Sequence, residues 1–570
     1  VNSLLSLTIL VPLFGVLALW LVAPAGRSAI RLVALGTSLV TLALAAVVVS
    51  RFPAETGHFE VDWLGFEGSG IDGSGIDVRL AVGLDGLGVW MFGLAALLSV
   101  TAVLISWESI TDRPASYYAL LLALETGMLG VFAAEDIILF YIFFEFTLIP
   151  LFFLIGVWGS EDRRRAAMKF FLFTFAGSVL TFFGLLVIVF WNYTHNPSGV
   201  LTFSIPALTD GLTAAPITPL SLQVAVFLML FAGFAIKVPL FPLHTWLPLA
   251  HVQAPAAGSV ILAGVLLKVG TYGFVRFNLT MLPDATAVCG PWLLWLSVAG
   301  IVYGALVALA QSDMKRLIAY SSVSHLGFCM LGIFAANRLG LEGGVLQMIG
   351  HGLSTGGLFA LVGMLYERYH TRNIADLGGL AKRLPLLTTF MLVMTFSSIG
   401  LPGLNGFVGE FLLLLGIFQR AFGGELTPEL AMQTKVIAVV AVSGVVLGAW
   451  YMLWLVQRVF FGPLREPVVH HTGGTHQTDG TTSGHGAPRD LSAREVAALL
   501  PLTVFIVWIG VAPNFFLRRM SPDLDPLADA VQQAVAEHAA AQSPELAANH
   551  HANPMTGATD TSPKDLERAR

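Results

Sequence analysis

Residues 222–249 read LQVAVFLMLFAGFAIKVPLFPLHTWLPL. A bilayer crossing takes about 20 apolar residues, and this stretch is long enough. Within it stand Lys237 and the prolines Pro239, Pro242 and Pro248. A charge at the bilayer centre costs roughly 2.5–3.5 kcal/mol even on the lenient insertion scale. A proline inside a helix removes a backbone donor and clashes one turn back. Backbone groups freed in this way are tolerated at membrane depth only inside protein or beside water. The stretch therefore predicts a broken helix held among other helices, with an ionisable group at its break.

Two neighbours repeat the oddity. Lys268 lies in GSVILAGVLLKVGTYGFV (258–275), and Glu145 in DIILFYIFFEFTLIPLFFLIGVW (136–158). The lysines of the chain are 169, 237, 268, 315, 382, 435 and 564, so two of them fall inside apolar helices. The whole composition agrees, with 56% hydrophobic and 12% charged residues against about 25% charged in soluble domains. The class is an all-α polytopic membrane protein. Basic patches interleaved with aromatics are lacking, which argues against nucleic-acid binding. The two cysteines, Cys289 and Cys329, have no CxxC spacing. That argues against iron–sulfur ligation, a structural zinc site or a disulfide framework. The first apolar run has neither a basic n-region nor a cleavage site, so it reads as a span and not as a signal peptide.

Fourteen transmembrane helices are expected, near 4–23, 29–50, 83–106, 116–134, 136–158, 167–191, 222–249, 255–277, 290–311, 315–335, 343–366, 385–420, 433–457 and 493–513. With alternating spans, Arg27, Arg113, Arg163, Arg164, Arg165, Lys315, Arg316, Arg368, Arg372, Lys382, Arg383 and Arg458 share one side, which the positive-inside rule makes cytoplasmic. Both termini then lie outside. A second break is read in SSIGLPGLNGFVGEFLLL (397–414). Breaks in corresponding helices of two halves point to inverted repeats around a midplane site. Discontinuous helices 7 and 12 thus give two inverted five-helix repeats, spans 4–8 and 9–13. The expected division is 1–106 for spans 1–3, 107–277 and 278–458 for the repeats, 459–492 for a cytoplasmic loop, 493–513 for span 14, and 514–570 for a polar tail. The His-rich segment 466–490 reads as a solvated loop with no specified metal site. Within the tail, 526–542 has helical character and the rest the composition of disorder.

The candidate chemistry is proton transfer. A nearby carboxylate and a buried lysine make a tunable proton site. At an effective dielectric of about 20, unit charges 4 Å apart attract by about 4 kcal/mol, and opening them to 8 Å loses about half. Moving one charge against 100 mV takes about 2.3 kcal/mol, so such a pair gates a proton but does not drive it. Glu145 and Lys237 are the expected gate. The structural alternatives are a carboxylate bonded to a neighbouring hydroxyl and a lysine snorkelling outward. Lys268 is the expected central relay. His325, in SSVSHLGFCM (321–330), and His351, in MIGHGLSTGGLF (348–359), continue the path with serines beside them. Glu410, past the second break, is the expected terminal site. His244, His251 and Glu125 are further relay candidates, with capping of the broken helix as the rival role for the two histidines.

At these residues the chain resembles a known family. FFEFTLIPLFFLIGVWG (143–159), KVPLFPLHTWLPLAHVQAP (237–255), DMKRLIAYSSVSHLGF (313–328) and GLPGLNGFVGEFLLL (400–414) are similar to the antiporter-like membrane subunits of respiratory complex I, which are related to Mrp-type antiporter subunits. The resemblance covers roughly 80–460. In this family the twelfth-span site is a glutamate in one branch and usually a lysine elsewhere, and here it is Glu410. The resemblance implies proton translocation through Glu145, Lys237, Lys268, His325, His351 and Glu410, driven by quinone reduction in other subunits. It implies no cofactor in this chain, with NADH, FMN, iron–sulfur clusters and a quinone held by other subunits of the complex. It implies partners in the other membrane subunits, especially two paralogous antiporter-like ones, and in membrane lipids. The implied location is the bacterial plasma membrane. Two other readings are a cation/proton antiporter subunit of the Mrp type, against which Glu410 speaks, and a membrane scaffold that does not pump.

Overall fold

The computed structural model describes residues 2–53, 59–69, 75–196, 199–424, 426–467 and 488–542. Most of the His-rich segment and the last part of the tail, 543–570, lie outside these described residues, as do the readings made of them. Nearly all the rest is helix. The first half contains α1 (Asn2–Val22), α2 (Arg27–Ser50), α3 (Gly88–Ile105), α4 (Pro114–Ala133), α5 (Ile137–Phe146), α6 (Leu148–Trp158), α7 (Arg163–His195), α8 (Ile205–Ala214), α9 (Leu220–Lys237), α10 (Leu247–Gln253), α11 (Ala256–Ile261) and α12 (Leu267–Gly273). The second half contains α13 (Pro283–Leu309), α14 (Met314–Ile333), α15 (Arg338–Tyr369), α16 (Pro385–Ser398), α17 (Asn405–Phe422), α18 (Pro428–Phe460), α19 (Ala493–Val511) and α20 (Asn514–Gln542).

Twelve helical stretches among the described residues are long and apolar enough to cross a membrane. The two expected spans beyond these are α14, whose serines and basic residues lower its hydropathy, and the α16–α17 pair, split by its turn. Hydropathy alone does not say which helices are inside. The stretch Ala256–Leu279 is wholly buried and α15 almost so, whereas α1, α2, α18 and α19 bury well under half of their spans. Small residues set this order, because glycine lets helix backbones approach closely. A Cβ at Gly270 of α12 would stand 2.7 Å from the carbonyl oxygen of Phe234 on α9. One at Gly409 of α17 would stand 2.5 Å from Gln347 Oε1 of α15.

Several local expectations are corrected. The third span does not begin at 83. Residues Phe59–Ser69 (β1) and Gly75–Leu84 (β2) pair antiparallel, and Leu201–Thr202 (β3) runs parallel to β2. The Asp85 carboxylate then accepts from Gly88 N (2.7 Å) and turns the chain into α3. The expected fifth span is kept as one stretch, Ile137–Trp158, with a one-residue break at Thr147 between α5 and α6. Pro150 explains the position, since its ring excludes the carbonyl one turn earlier, and the Thr147 hydroxyl donates to Phe144 O (2.8 Å). The tail is helical from Asn514 and not merely from 526, running through Pro522 and Pro526. Its buried face, Phe516, Met520, Leu524, Ala528, Val531 and Val535, recurs every three or four residues and packs on α13 and α15.

The two expected breaks are present, and each is closed by side chains. After α9 ends at Lys237, Trp246 Nε1 donates to Ile236 O (3.0 Å) and Leu240 N to Ala235 O (2.9 Å). Between α16 and α17, Gly400 and Gly403 have φ of 71° and 91°, a region open to glycine and strained for other residues. Asn405 then ties the turn down. Its Oδ1 accepts from Ser397 Oγ (2.5 Å), and its Nδ2 donates to Gly350 O on α15 (3.1 Å).

Candidate functional site: a buried Lys–His–His–Glu line

Lys268 stands between two π-helical turns, Leu262–Leu266 and Phe274–Leu279. Such turns widen a helix and leave carbonyls for other partners. Lys268 uses one: its Nζ donates to Ala263 O. It also lies 2.7 Å from Nδ1 of His351 on α15. The His351 ring is 5.5 Å, centre to centre, from that of His325 on α14. His325 Nδ1 is 3.5 Å from Glu410 Oε1 on α17. Four helices thus contribute one ionisable group each to a single line, and all four side chains are buried.

Three side chains that sequence reading passed over hold this line in place. Gln347, one turn before His351, donates its Nε2 to Glu410 Oε1 (3.2 Å). Ser398, the last residue of α16, and Tyr451 of α18 lie 3.1 and 3.4 Å from His325 Nε2. Gln347 had a signal, its four-residue spacing from His351. Tyr451 had none, since its helix is read as an ordinary span. The serines expected to extend the path are largely spent on backbone. Ser321 and Ser322 donate to Ile318 O, Ser324 to Ile301 O, and Ser354 to Gly350 O.

The first-half pair is arranged differently from expectation. Glu145 and Lys237 act on each other electrostatically but are not within ion-pair distance among the described residues. Lys237 Nζ instead lies 4.4 Å from the centre of the Phe144 ring. Oε1 of Glu145 has no hydrogen-bond partner, and the hydroxyl of nearby Ser178 on α7 donates to Phe175 O (2.8 Å). Lys237 does not snorkel, being 3% exposed. No hydrogen bond joins it to Lys268 among the described residues.

The weaker candidates separate. Glu125 accepts from Ser38 Oγ (2.9 Å) on α2 and belongs to the packing of the first spans. His244 is stacked among Phe241, Tyr303 and Tyr320, without a polar link to the line. His251 is fully buried against the Phe359 ring (4.5 Å), with no hydrogen-bond partner on either nitrogen. Lys315, the first residue of an expected span, is only 6% exposed. It sits in the first turn of α14 and reaches inward to Ala254 O.

Residues 134–423 match the family model described as NADH:quinone oxidoreductase/Mrp antiporter, TM. NADH-quinone oxidoreductase subunit M of Rhodobacter capsulatus is 39% identical over 541 residues, 92% of this chain and 96% of that protein. The chain belongs to the subunit M branch of this family. Subunit M of Pseudomonas aeruginosa is 40% identical over 525 residues, covering 89% of this chain and 94% of its own length. Among solved structures, a chain of respiratory complex I from Thermus thermophilus with bound NADH is 31% identical. It superposes with a TM-score of 0.75 over 93% of this chain and 99% of that one. A chain of the Mrp complex from Dietzia has a TM-score of 0.73 at 22% identity, a likeness of fold alone.

Proposed function

We propose that this subunit M chain translocates protons across the bacterial plasma membrane as part of NADH–quinone oxidoreductase. The proton path is Lys268–His351–His325–Glu410, and the observation that carries the reading is the 2.7 Å Lys268–His351 contact at the head of that line. An ammonium facing Nδ1 of a neutral imidazole is poised to give up a proton there while Nε2 releases one on the far side. His351 Nε2 has no protein partner, which leaves it free to pass a proton on toward His325, whose ring centre is 5.5 Å from its own. His325 then hands the proton to Glu410.

Glu145 and Lys237 form the gate, in an open arrangement. Closing it from about 8 Å to 4 Å changes the pair's attraction by about 2 kcal/mol at an effective dielectric of about 20. That is close to the cost of moving one charge against 100 mV, about 2.3 kcal/mol, and leaves nothing for net work. The energy comes from quinone reduction in other subunits, which hold the NADH, FMN, iron–sulfur and quinone sites. The neighbours in the membrane are the two paralogous antiporter-like subunits, and both termini of this chain face outside. The division into two inverted repeats, with an output carboxylate in the second, belongs to the same reading.

The test is to assemble the complex with Glu145→Gln or Lys237→Ala and measure protons moved per quinone reduced. A lowered ratio is expected in both. A parental ratio in both would sink the gate. A scaffold that does not pump predicts a parental ratio whenever assembly is complete.

A further inference from the structure

An apolar cavity of about 260 Å³ lies among α2, α3, α15, α19 and the start of α20, apart from the buried line of ionisable groups. Its inner wall includes Leu94 of α3 with Ile349 and Leu353 of α15, all buried. Its outer edge is formed by Ala46, Trp508 and Phe515, all exposed. Protein closes the cavity on one side, and the other side faces outward from the bundle. Apolar cavities of about 150 Å³ stay dry and take up benzene. A larger one with apolar walls at membrane depth fills with hydrocarbon and not with water.

The polar groups at one end ask for more than hydrocarbon. Trp90 of α3 belongs to the wall, is 7% exposed, and its indole N–H has no acceptor in the protein. A buried tryptophan N–H usually finds a partner. The Trp90 ring packs on Phe515 (5.9 Å) and Phe516 (4.6 Å) at the start of α20. Arg519 lies over the same Phe515, its guanidinium carbon 4.1 Å from the ring centre, and its Nη1 donates to Phe515 O (2.9 Å). Arg519 Nε is buried and also lacks a partner. Arg51 directly follows Ser50 of the wall at the end of α2 and is exposed. Neither arginine has a carboxylate within ion-pair distance among the described residues. One end of an apolar cavity thus holds two donors without acceptors and two cations without counter-charges.

We propose that this cavity binds an anionic glycerophospholipid, with an acyl chain inside, an ester carbonyl at Trp90 and the phosphate at Arg51 and Arg519. Each part of the ligand meets its complement. The ester carbonyl is an acceptor with no donor of its own, which suits an indole N–H. The phosphate takes charge-assisted hydrogen bonds from guanidinium groups. Tryptophan and arginine at span ends stand at headgroup depth. A helix of a neighbouring subunit fits less well, because its backbone acceptors are used within the helix and it brings no phosphate. Ile349 and Leu353 lie two residues before and two after His351, so the acyl chain packs against the helix that carries the middle of the line. The site itself does not depend on the proton-translocating reading.

The experiment uses the assembled complex in phosphatidylcholine vesicles containing a phosphatidylglycerol with a diazirine near the end of one acyl chain. After illumination, labelled peptides are mapped by mass spectrometry. The peptides carrying Leu94 and Ile349, which boundary lipid outside the cavity does not reach, are expected to be labelled. A Cβ at Gly93 would meet only Val49, at an ordinary 3.5 Å, so Gly93→Leu fills the cavity without a backbone clash. Ala46→Trp closes its exposed edge. Both variants, at equal assembled complex, are expected to lose the label on these two peptides and keep it elsewhere in the chain. The double variant Arg51→Gln with Arg519→Gln is expected to lose the preference of these peptides for the phosphatidylglycerol probe over the same diazirine on phosphatidylcholine. Unlabelled Leu94 and Ile349 peptides in the parent, the result if a neighbouring subunit's helix fills the groove, would overturn the proposal. So would equal labelling of the parent, Gly93→Leu and Ala46→Trp. Equal labelling of the parent by both probes would overturn the anionic headgroup.

Discussion

Replacing Glu410 by glutamine removes a charge and almost nothing else. The side-chain volume is kept, and an amide oxygen still accepts from Gln347 Nε2, which now sits 3.2 Å from the carboxylate. What disappears is a negative charge 3.5 Å from His325 Nδ1. At an effective dielectric of about 20, two unit charges at that distance attract by about 5 kcal/mol. Half of that, allowing for water in the path, is still about 2.4 kcal/mol of attraction lost for a proton in transit along the line. The last step of the path also loses its acceptor, because an amide does not take up a proton. The assay is proton uptake by inside-out vesicles, calibrated against quinone reduction and against the amount of assembled complex. Glu410→Gln is expected to lower the proton-to-quinone ratio, and Glu410→Asp, which keeps the charge, to restore most of it. Equal ratios in parent and Glu410→Gln would refute the assignment of Glu410 to the path.

Three further outcomes test the packing that holds the path. Gly343→Ala brings a Cβ into the backbone of Leu413 where α15 crosses α17. Overpacking of this kind costs about 1–3 kcal/mol, visible as a lower melting temperature of the purified complex. Asn405→Ala removes both clamps on the second break, to Ser397 and Gly350. Each group left unsatisfied costs about 1–3 kcal/mol, and assembly yield on native gels should fall. Arg276→Met strands the buried Asp85 that it pairs with at 2.6 Å. Breaking a buried pair from one side costs about 3–5 kcal/mol, so the double variant Arg276→Met with Asp85→Asn should be more stable than the single one, as read by thermal denaturation.

Much of this was legible in the residues, for physical reasons. Charges and prolines inside apolar runs are costly unless sheltered. Lys237, Lys268, the proline break after Lys237 and the glycine–proline break before Glu410 therefore point to buried, interrupted helices from the residues alone. The line through His325, His351 and Glu410 could be named but not ordered, because the order depends on which faces of four separate helices meet. The glycines of α15 and α17 decide that, and their effect is three-dimensional. The π-helical turns around Lys268 leave no trace in apolar periodicity. A cation at a span end normally seeks water, and Lys315 does not. Here Pro255 ends one helix and opens another beside it, and the lysine turns inward to the freed carbonyl of Ala254. The start of α20 was hidden by the polar composition of the tail, although the helix runs from Asn514 through Pro522 and Pro526. The hairpin of β1 and β2 was absorbed into a loop and the start of a span, since nothing in a membrane composition favours a strand pair outside the bilayer.

The measurement that bears most directly on the central claim is the proton-to-quinone ratio of fully assembled complex carrying Lys268→Met. Methionine keeps the length and apolar stem of lysine and removes only the group that meets His351 at 2.7 Å. The Lys268–His351–His325–Glu410 path predicts a ratio below the parent's, unchanged by added membrane potential. A ratio equal to the parent's would contradict it.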